Sequence, residues 1–236
     1  MRYTEQPDRQ MLTLQVPKTL AFKAYFGNTK DPSPRLRRTV KRAVETVREN
    51  SEPRAVWRML SVTHGYPFCF LGDLRYPVGS RLVSRVLSHC ETAVVCAATL
   101  GEPLDAVLAD EKLSAYDQSV LDRVASVAVE ELLDEVEREL VDRAAPDQAL
   151  TARYSPGYCD WPLQAQRVLF ALLPVEPLGI TLSPSCLMQP RKSVTAVIGL
   201  GERRAVEEHG IACRFCGRRG CRYRRRPQQS SGVETG

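Results

Sequence analysis

The sequence is poor in the residues and motifs that conventional catalysis uses. Its three histidines, His64, His89 and His209, stand in no H-E-x-x-H or similar setting, which excludes the common zinc-hydrolase arrangements. There is no Walker-type phosphate loop and no G-x-S-x-G nucleophile elbow. Gly199-Leu200-Gly201 lacks the third glycine and the following helix cap of a dinucleotide-binding fingerprint. Aromatic residues make up only 7% and are not interleaved with basic residues as base-stacking motifs require, so nucleic acid is not an expected partner. No apolar run approaches the ~20 residues needed to span a bilayer. The N-terminal Met1-Arg2-Tyr3-Thr4-Glu5-Gln6 is polar and lacks the apolar core of a signal peptide. The expectation is a cytoplasmic protein with no membrane partner.

What is present is ordinary in bulk and uneven in distribution. With 236 residues, 43% hydrophobic and 26% charged, the chain suits one large domain or one domain with a small appendage. The net charge of +5 conceals a basic end, where Arg203, Arg204, Arg214, Arg218, Arg219, Arg222, Arg224, Arg225 and Arg226 follow one another closely. Such an end can meet an acidic partner or nucleic acid, or it can flank and offset a thiolate cluster. There are eight cysteines, and in a cytoplasmic chain their even number does not imply disulfides. Cys90 and Cys96 lie in apolar surroundings and read as core residues.

Residues 1–32 show no strong periodicity beyond a short extended segment around Met11 to Val16. Ser33 caps a helix with Pro34 at its first position and Leu36, Val40, Val44 and Val47 at helical spacing; its outer face is basic. Ala55 to Val62 and Glu91 to Leu100 read as strands, with a helix from Ser80 to Cys90 between them. A long helical region from Pro103 to Ala144 is expected to split near Ser114 or Tyr116, and its second half sets acidic residues beside an apolar stripe. After Ala145-Pro146, Pro and Gly recur, with a short helix at Pro162 to Leu172 and β-like runs at Gly179 to Leu182 and Ser193 to Leu200. Helices first and strands later, without βα alternation, predict an α+β fold: long helices packed on a mainly antiparallel twisted sheet, plus a small Cys-rich extension. The expected division is an N-terminal extension (1–32), a main domain (33–201), a basic Cys-rich extension (202–226) and a disordered tail (227–236).

One segment is dense in binding chemistry: Arg153-Tyr154-Ser155-Pro156-Gly157-Tyr158-Cys159-Asp160-Trp161-Pro162. It combines a fixed cation, a Gly-Pro turn with backbone donors and acceptors, and aromatic faces. Arginine forks onto a carboxylate, while Tyr or Trp covers a flat ring or a sulfonium. The bland alternative is a packed loop with a structural arginine.

Arg153-x-x-x-Gly157-Tyr158 resembles the R-x-x-x-G-Y signature of the AdoMet-binding activation domain of cobalamin-dependent methionine synthase. Ser185 to Val194 resembles that family's second segment, an M-x-P-x-x-S-V pattern leading into a strand, and Leu172 to Leu182 fits between them. The resemblance covers roughly residues 52–201. It implies a free-standing reactivation protein that binds S-adenosylmethionine and acts in trans on a cobalamin-binding methionine synthase or related corrinoid protein. There an electron donor such as a flavodoxin or ferredoxin and the AdoMet methyl would restore methylcobalamin. The cobalamin would belong to the partner, so this chain would supply part of an active site and no catalytic residue of its own. Carried over, Arg153 would hold the AdoMet carboxylate, Ser155 would lend backbone to the adenine, Tyr158 would lie against the ligand, and Gly157 would belong to the same cofactor-binding set. Glu130, with Glu131 close behind, would supply a carboxylate from the long helix. An acidic contact near the start of the family's domain has only Asp73 and Asp31 as candidates.

The C-terminal Cys213-x-x-Cys216-x-x-x-x-Cys221 has metal-ligand spacing, with Gly217 and Gly220 allowing tight turns and neighbouring arginines favouring thiolates. His209 could complete a Cys3His zinc site, or an iron–sulfur cluster could take a fourth ligand from Cys159, Cys186 or a small molecule. This extension also supports a reading from another class: a metal-stabilised interaction module recognising an acidic protein or nucleic acid.

Overall fold

The computed structural model describes residues 9–13, 32–217 and 221. The order of elements is β1 (Arg9–Thr13), α1 (Pro34–Glu49), β2 (Arg54–Thr63), β3 (Phe70–Leu71), β4 (Tyr76–Pro77), α2 (Arg81–Leu87), β5 (Thr92–Thr99), α3 (Pro103–Leu108) and α4 (Ala115–Arg143). There follow β6 (Gln148–Leu150), α5 (Gln166–Leu172), β7 (Thr181–Leu182), β8 (Met188–Gln189), β9 (Ser193–Glu202) and α6 (Arg203–His209). The main sheet runs β4-β3-β2-β5-β9-β6, with β1 also pairing with β2, and its described pairings are antiparallel. The α+β reading holds.

β5 explains the layering. Its alternate side chains point to opposite faces, and nearly all of them are buried. Val94, Cys96 and Ala98 join one core with α1, α3 and α4, whereas Ala93, Val95 and Ala97 join a second core with α2, α5 and the loop carrying Tyr154 and Trp161. Helical layers therefore cover both faces of the central strands. Cys90 and Cys96 are buried as expected.

The helix boundaries follow local chemistry. Ser33 Oγ accepts from Leu36 N, with Pro34 opening α1. The long helical region divides at Ser114, whose Oγ accepts from Asp117 N and donates to Asp117 Oδ2. Arg42 of α1 bonds to the same carboxylate at 3.1 Å, tying the two helices together at one end. Gly199 and Gly201 lie inside β9. An added Cβ would meet Cys90 Sγ at 2.6 Å from Gly199 and the His89 carbonyl at 2.4 Å from Gly201. These glycines allow the 87–90 segment to lie against the sheet, which is a packing role in place of a nucleotide loop.

Candidate functional site

The segment that follows β6 stays tied to β9: Thr151 N donates to the Gly199 carbonyl at 2.9 Å, and further on Tyr154 and Val197 exchange both backbone hydrogen bonds at 2.9 and 2.8 Å in an isolated bridge. That bridge sends Arg153 and Tyr154 to opposite faces of the sheet. Arg153 enters the α4 side with its side chain 11% exposed. Nη2 bonds to Glu130 Oε2 at 3.0 Å, and Nη1 bonds to Glu137 Oε1 at 2.8 Å and to Asp134. Residues 130, 134 and 137 are four and three apart, so they line one face of α4. Burial alone would lower the guanidinium's pKa. Glu137, Asp134 and Glu130 outweigh it and hold the group above its ordinary value. Taking all four groups as charged, the cluster sums to about −2.

The structure thus brings together two residues singled out in the sequence, Arg153 and Glu130, and adds Asp134 and Glu137. The missed pair was marked by spacing alone, inside a helix rich in acids. Glu131 sits beside them, its carboxyl raised by burial and then by Asp134.

Beyond Tyr154 the chain closes into a compact turn. Gly157 N donates to the Trp161 carbonyl at 2.9 Å, Trp161 N to Tyr158 at 3.0 Å, and Tyr158 N to Ser155 at 3.3 Å. Gly157 has φ +95°, a region that favours glycine. The expectation that this turn offers free backbone donors is corrected for these three N–H groups, which are spent within it. What faces outward includes Gly157 and the ring of Tyr158, which is 46% exposed, while Ser155 is half-buried and Trp161 is buried. Asp160 anchors the turn to α2. Its Oδ1 accepts from Ser80 Oγ, and its Oδ2 accepts from Arg81 N at 2.9 Å and Leu82 N at 3.3 Å.

The second segment is built in as firmly. Cys186 takes φ +64° and its Sγ accepts from Arg167 Nε at 3.3 Å. Lys192 is buried, with Nζ bonding to Asp122 Oδ1 at 2.7 Å and Ser126 Oγ at 3.0 Å on α4. Thr195 Oγ1 donates to Gln166 Oε1 at 2.6 Å in the interior. The two sequence segments therefore both lean on α4, through Arg153 and Lys192.

Two cavities open elsewhere. One of about 390 Å³ is lined by Glu52, Arg54, Glu102, Leu178 and Pro190 among others. The other, about 310 Å³, includes Arg58, Asp73, Tyr76 and Leu172. Neither includes Arg153, Ser155, Gly157, Tyr158 or Glu130 in its lining. Asp73, one candidate for the family's early acidic contact, thus lines a cavity beside Arg58. Asp31, the other, lies outside the described residues.

At the C-terminal end, His209 stacks on His89 at 4.0 Å between ring centroids, and Phe215 stacks on His209 at 6.3 Å. The His89 imidazole is lowered below its usual range by burial and then by His209. Among the described residues no three His, Cys, Asp or Glu side chains form a preassembled metal-binding group. The arginines from 218 onward lie outside the described residues. Among the described residues, no helix is long and apolar enough to cross a membrane.

The fold has a solved counterpart. The chain is similar to the crystal structure of the MetH reactivation domain bound to AdoHcy, with a TM-score of 0.59 and 14% identity over 81% of this chain and 78% of that one. At that identity the likeness is one of fold. No family model matches the sequence, and no curated protein matches it.

Proposed function

We propose that this chain is an AdoMet-binding reactivation protein that serves a cobalamin-dependent methionine synthase or related corrinoid protein in trans. The observation that carries this reading is a coincidence of independent kinds. The Arg153–Tyr158 and Ser185–Val194 signatures occur in a chain whose fold is that of a reactivation domain solved with AdoHcy.

The residues present suit such a ligand. Glu130, Asp134 and Glu137 outnumber Arg153 and favour the ligand's two cationic groups, its ammonium and its sulfonium. Asp134 and Glu130 are about half exposed and accessible to a cation. The ligand carboxylate would compete with one of these acids for an arm of Arg153, since guanidinium forks onto either. Tyr158 offers an exposed ring against which a flat base or the sulfonium can lie. Bound AdoMet supplies the methyl group to the partner's reduced cobalamin. The task of this chain is to hold the donor in line, a positional contribution that needs no acid or base from the protein.

The test combines the chain with a cobalamin methyltransferase lacking its own reactivation domain, inactivated by oxidation, plus AdoMet and an electron donor. Activity should return only when chain, AdoMet and reductant are all present. Equal recovery without the chain would remove the proposal.

A further inference from the structure

We propose that Asp134 and Glu137 are positioning residues for the ligand carboxylate. They hold one arm of the Arg153 guanidinium, so that the other arm, covered by Glu130 in the free protein, is the one the carboxylate takes. This rests on the AdoMet reading of the site and adds to it which arm opens, which acid leaves and which acids stay.

The two arms are held unequally. Each terminal nitrogen of a guanidinium carries two N–H donors. Nη1 donates to Glu137 Oε1 at 2.8 Å and to Asp134, so both of its donors are spent on carboxylates of separate residues. Nη2 has one carboxylate partner, Glu130 Oε2 at 3.0 Å, and its second contact is the Glu130 carbonyl at 3.3 Å. Bonds in which both partners are charged are shorter and stronger than those to a neutral acceptor. Nη1 therefore has two such anchors and Nη2 has one, the longest of the three. Glu137 is the least exposed of the acids and Glu130 the most, so water replaces the lost contact most readily at Glu130.

The direction of the chain points to the same arm. α4 and β9 run the same way along this face: Lys192, just before β9, meets Asp122 and Ser126, whereas Arg153, opposite Val197 to Gly199, meets Glu130, Asp134 and Glu137. The segment after β6 runs the other way, because Thr151 bonds to Gly199 and Tyr154 to Val197. From Arg153 it therefore heads back toward the start of β9, past Glu130 and away from Glu137. The turn with Gly157 and the exposed Tyr158 ring follows on that heading, so a ligand lying against Tyr158 meets the guanidinium on its Glu130 side. Exchange there conserves charge. The ligand carboxylate replaces Glu130 on Nη2, and the released Glu130 accepts from the ligand ammonium. Asp134 and Glu137 keep Nη1 in place throughout, so the carboxylate meets a guanidinium already oriented for it and little further ordering is needed.

The test is calorimetric titration of the full chain with AdoMet and with decarboxylated AdoMet, which keeps the ammonium and the sulfonium and lacks only the carboxylate. The parent should prefer AdoMet by at least about ten-fold, the worth of one charge-assisted hydrogen bond. Glu137→Asp keeps the charge but draws the carboxylate back from Nη1, and should cut that preference by at least about three-fold. Glu137→Gln, which keeps an oxygen acceptor at full reach, should restore most of it. A merely structural role would weaken both ligands together and leave their ratio unchanged, and circular dichroism shows whether each variant is folded. A folded parent that binds neither ligand overturns the AdoMet reading and the arm assignment with it. A parent that binds both equally overturns the arm assignment alone. So does a folded Glu137→Asp variant that keeps the parent's preference.

Discussion

Replacing Arg153 by alanine removes the counter-charge from three carboxylates at once. Its side chain is 11% exposed, but Glu130, Asp134 and Glu137 are 48%, 46% and 31% exposed, so water recovers part of their solvation. The cost therefore falls between the ~3–5 kcal/mol of breaking a fully buried pair and the at most ~1 kcal/mol of a surface one. A value of about 2–3 kcal/mol follows, or a fall in Tm of about 5–10 °C for a chain of this size. Much of the loss is like-charge repulsion along one face of α4. Screening should return part of it when the salt is raised from about 0.1 M to about 1 M, where the Debye length shrinks from ~10 Å to ~3 Å. Arg153→Lys keeps the charge but not the fork, and should lose about half as much. Thermal unfolding at both salt concentrations checks all three. An alanine variant that melts within about 1 °C of the parent would refute the caging of Arg153. A destabilisation that salt leaves untouched would refute the electrostatic cause. The arginine therefore has a structural duty as well as a proposed binding one, and a drop in ligand affinity on its removal has to be read alongside Tm.

Other consequences follow from the packing. Gly199→Ala would press a methyl into Cys90 Sγ, Leu87 and Thr151, and should cost about 1–3 kcal/mol in a denaturant titration. Tyr154→Phe removes the hydroxyl that meets Ala212 N and the Gly210 carbonyl; a loss of about 1–3 kcal/mol and faster proteolysis within residues 210–217 are expected. Burial raises the Cys96 thiol from its ordinary 9.0 up to about 12. Above pH 9 the unfolded chain holds fewer protons than the folded one, so stability contributed by the protonated thiol is present below pH 9 and lost as pH rises towards about 12. Denaturation curves across that range should steepen their decline with pH in the parent and less so in Cys96→Ala. The lowered His89 works in the opposite sense: its contribution is present above the unfolded imidazole value and fades as pH falls through the depressed folded one, which proton NMR of the ring can follow.

Much of the fold is legible in the sequence because local signals agree with the tertiary result. The Ser33-Pro34 start, the strand runs around β2, β5 and β9, and the division of the long helix at Ser114 all depend on nearby residues. Contacts across the chain are not local. Nothing in the spacing of Arg153 shows that it meets Asp134 and Glu137 of a helix ending ten residues earlier, because that depends on how β6 turns back along β9. Asp160 capping α2 and Phe215 under Arg85 are likewise products of packing. The turn at Gly157 looked open in sequence because its residue types favour a loop, whereas its N–H groups are satisfied internally.

Ligand binding tests the central claim most directly. Calorimetric titration of the purified chain with AdoMet and AdoHcy should give dissociation constants well below about 1 mM, the level at which binding free energy is only ~4 kcal/mol. AdoMet should bind more tightly than AdoHcy, because only it carries the sulfonium charge that the acids around Arg153 favour. Glu130→Gln with Asp134→Asn should narrow that difference. Absence of binding by either ligand at millimolar concentration, in a chain shown to be folded, would contradict the account.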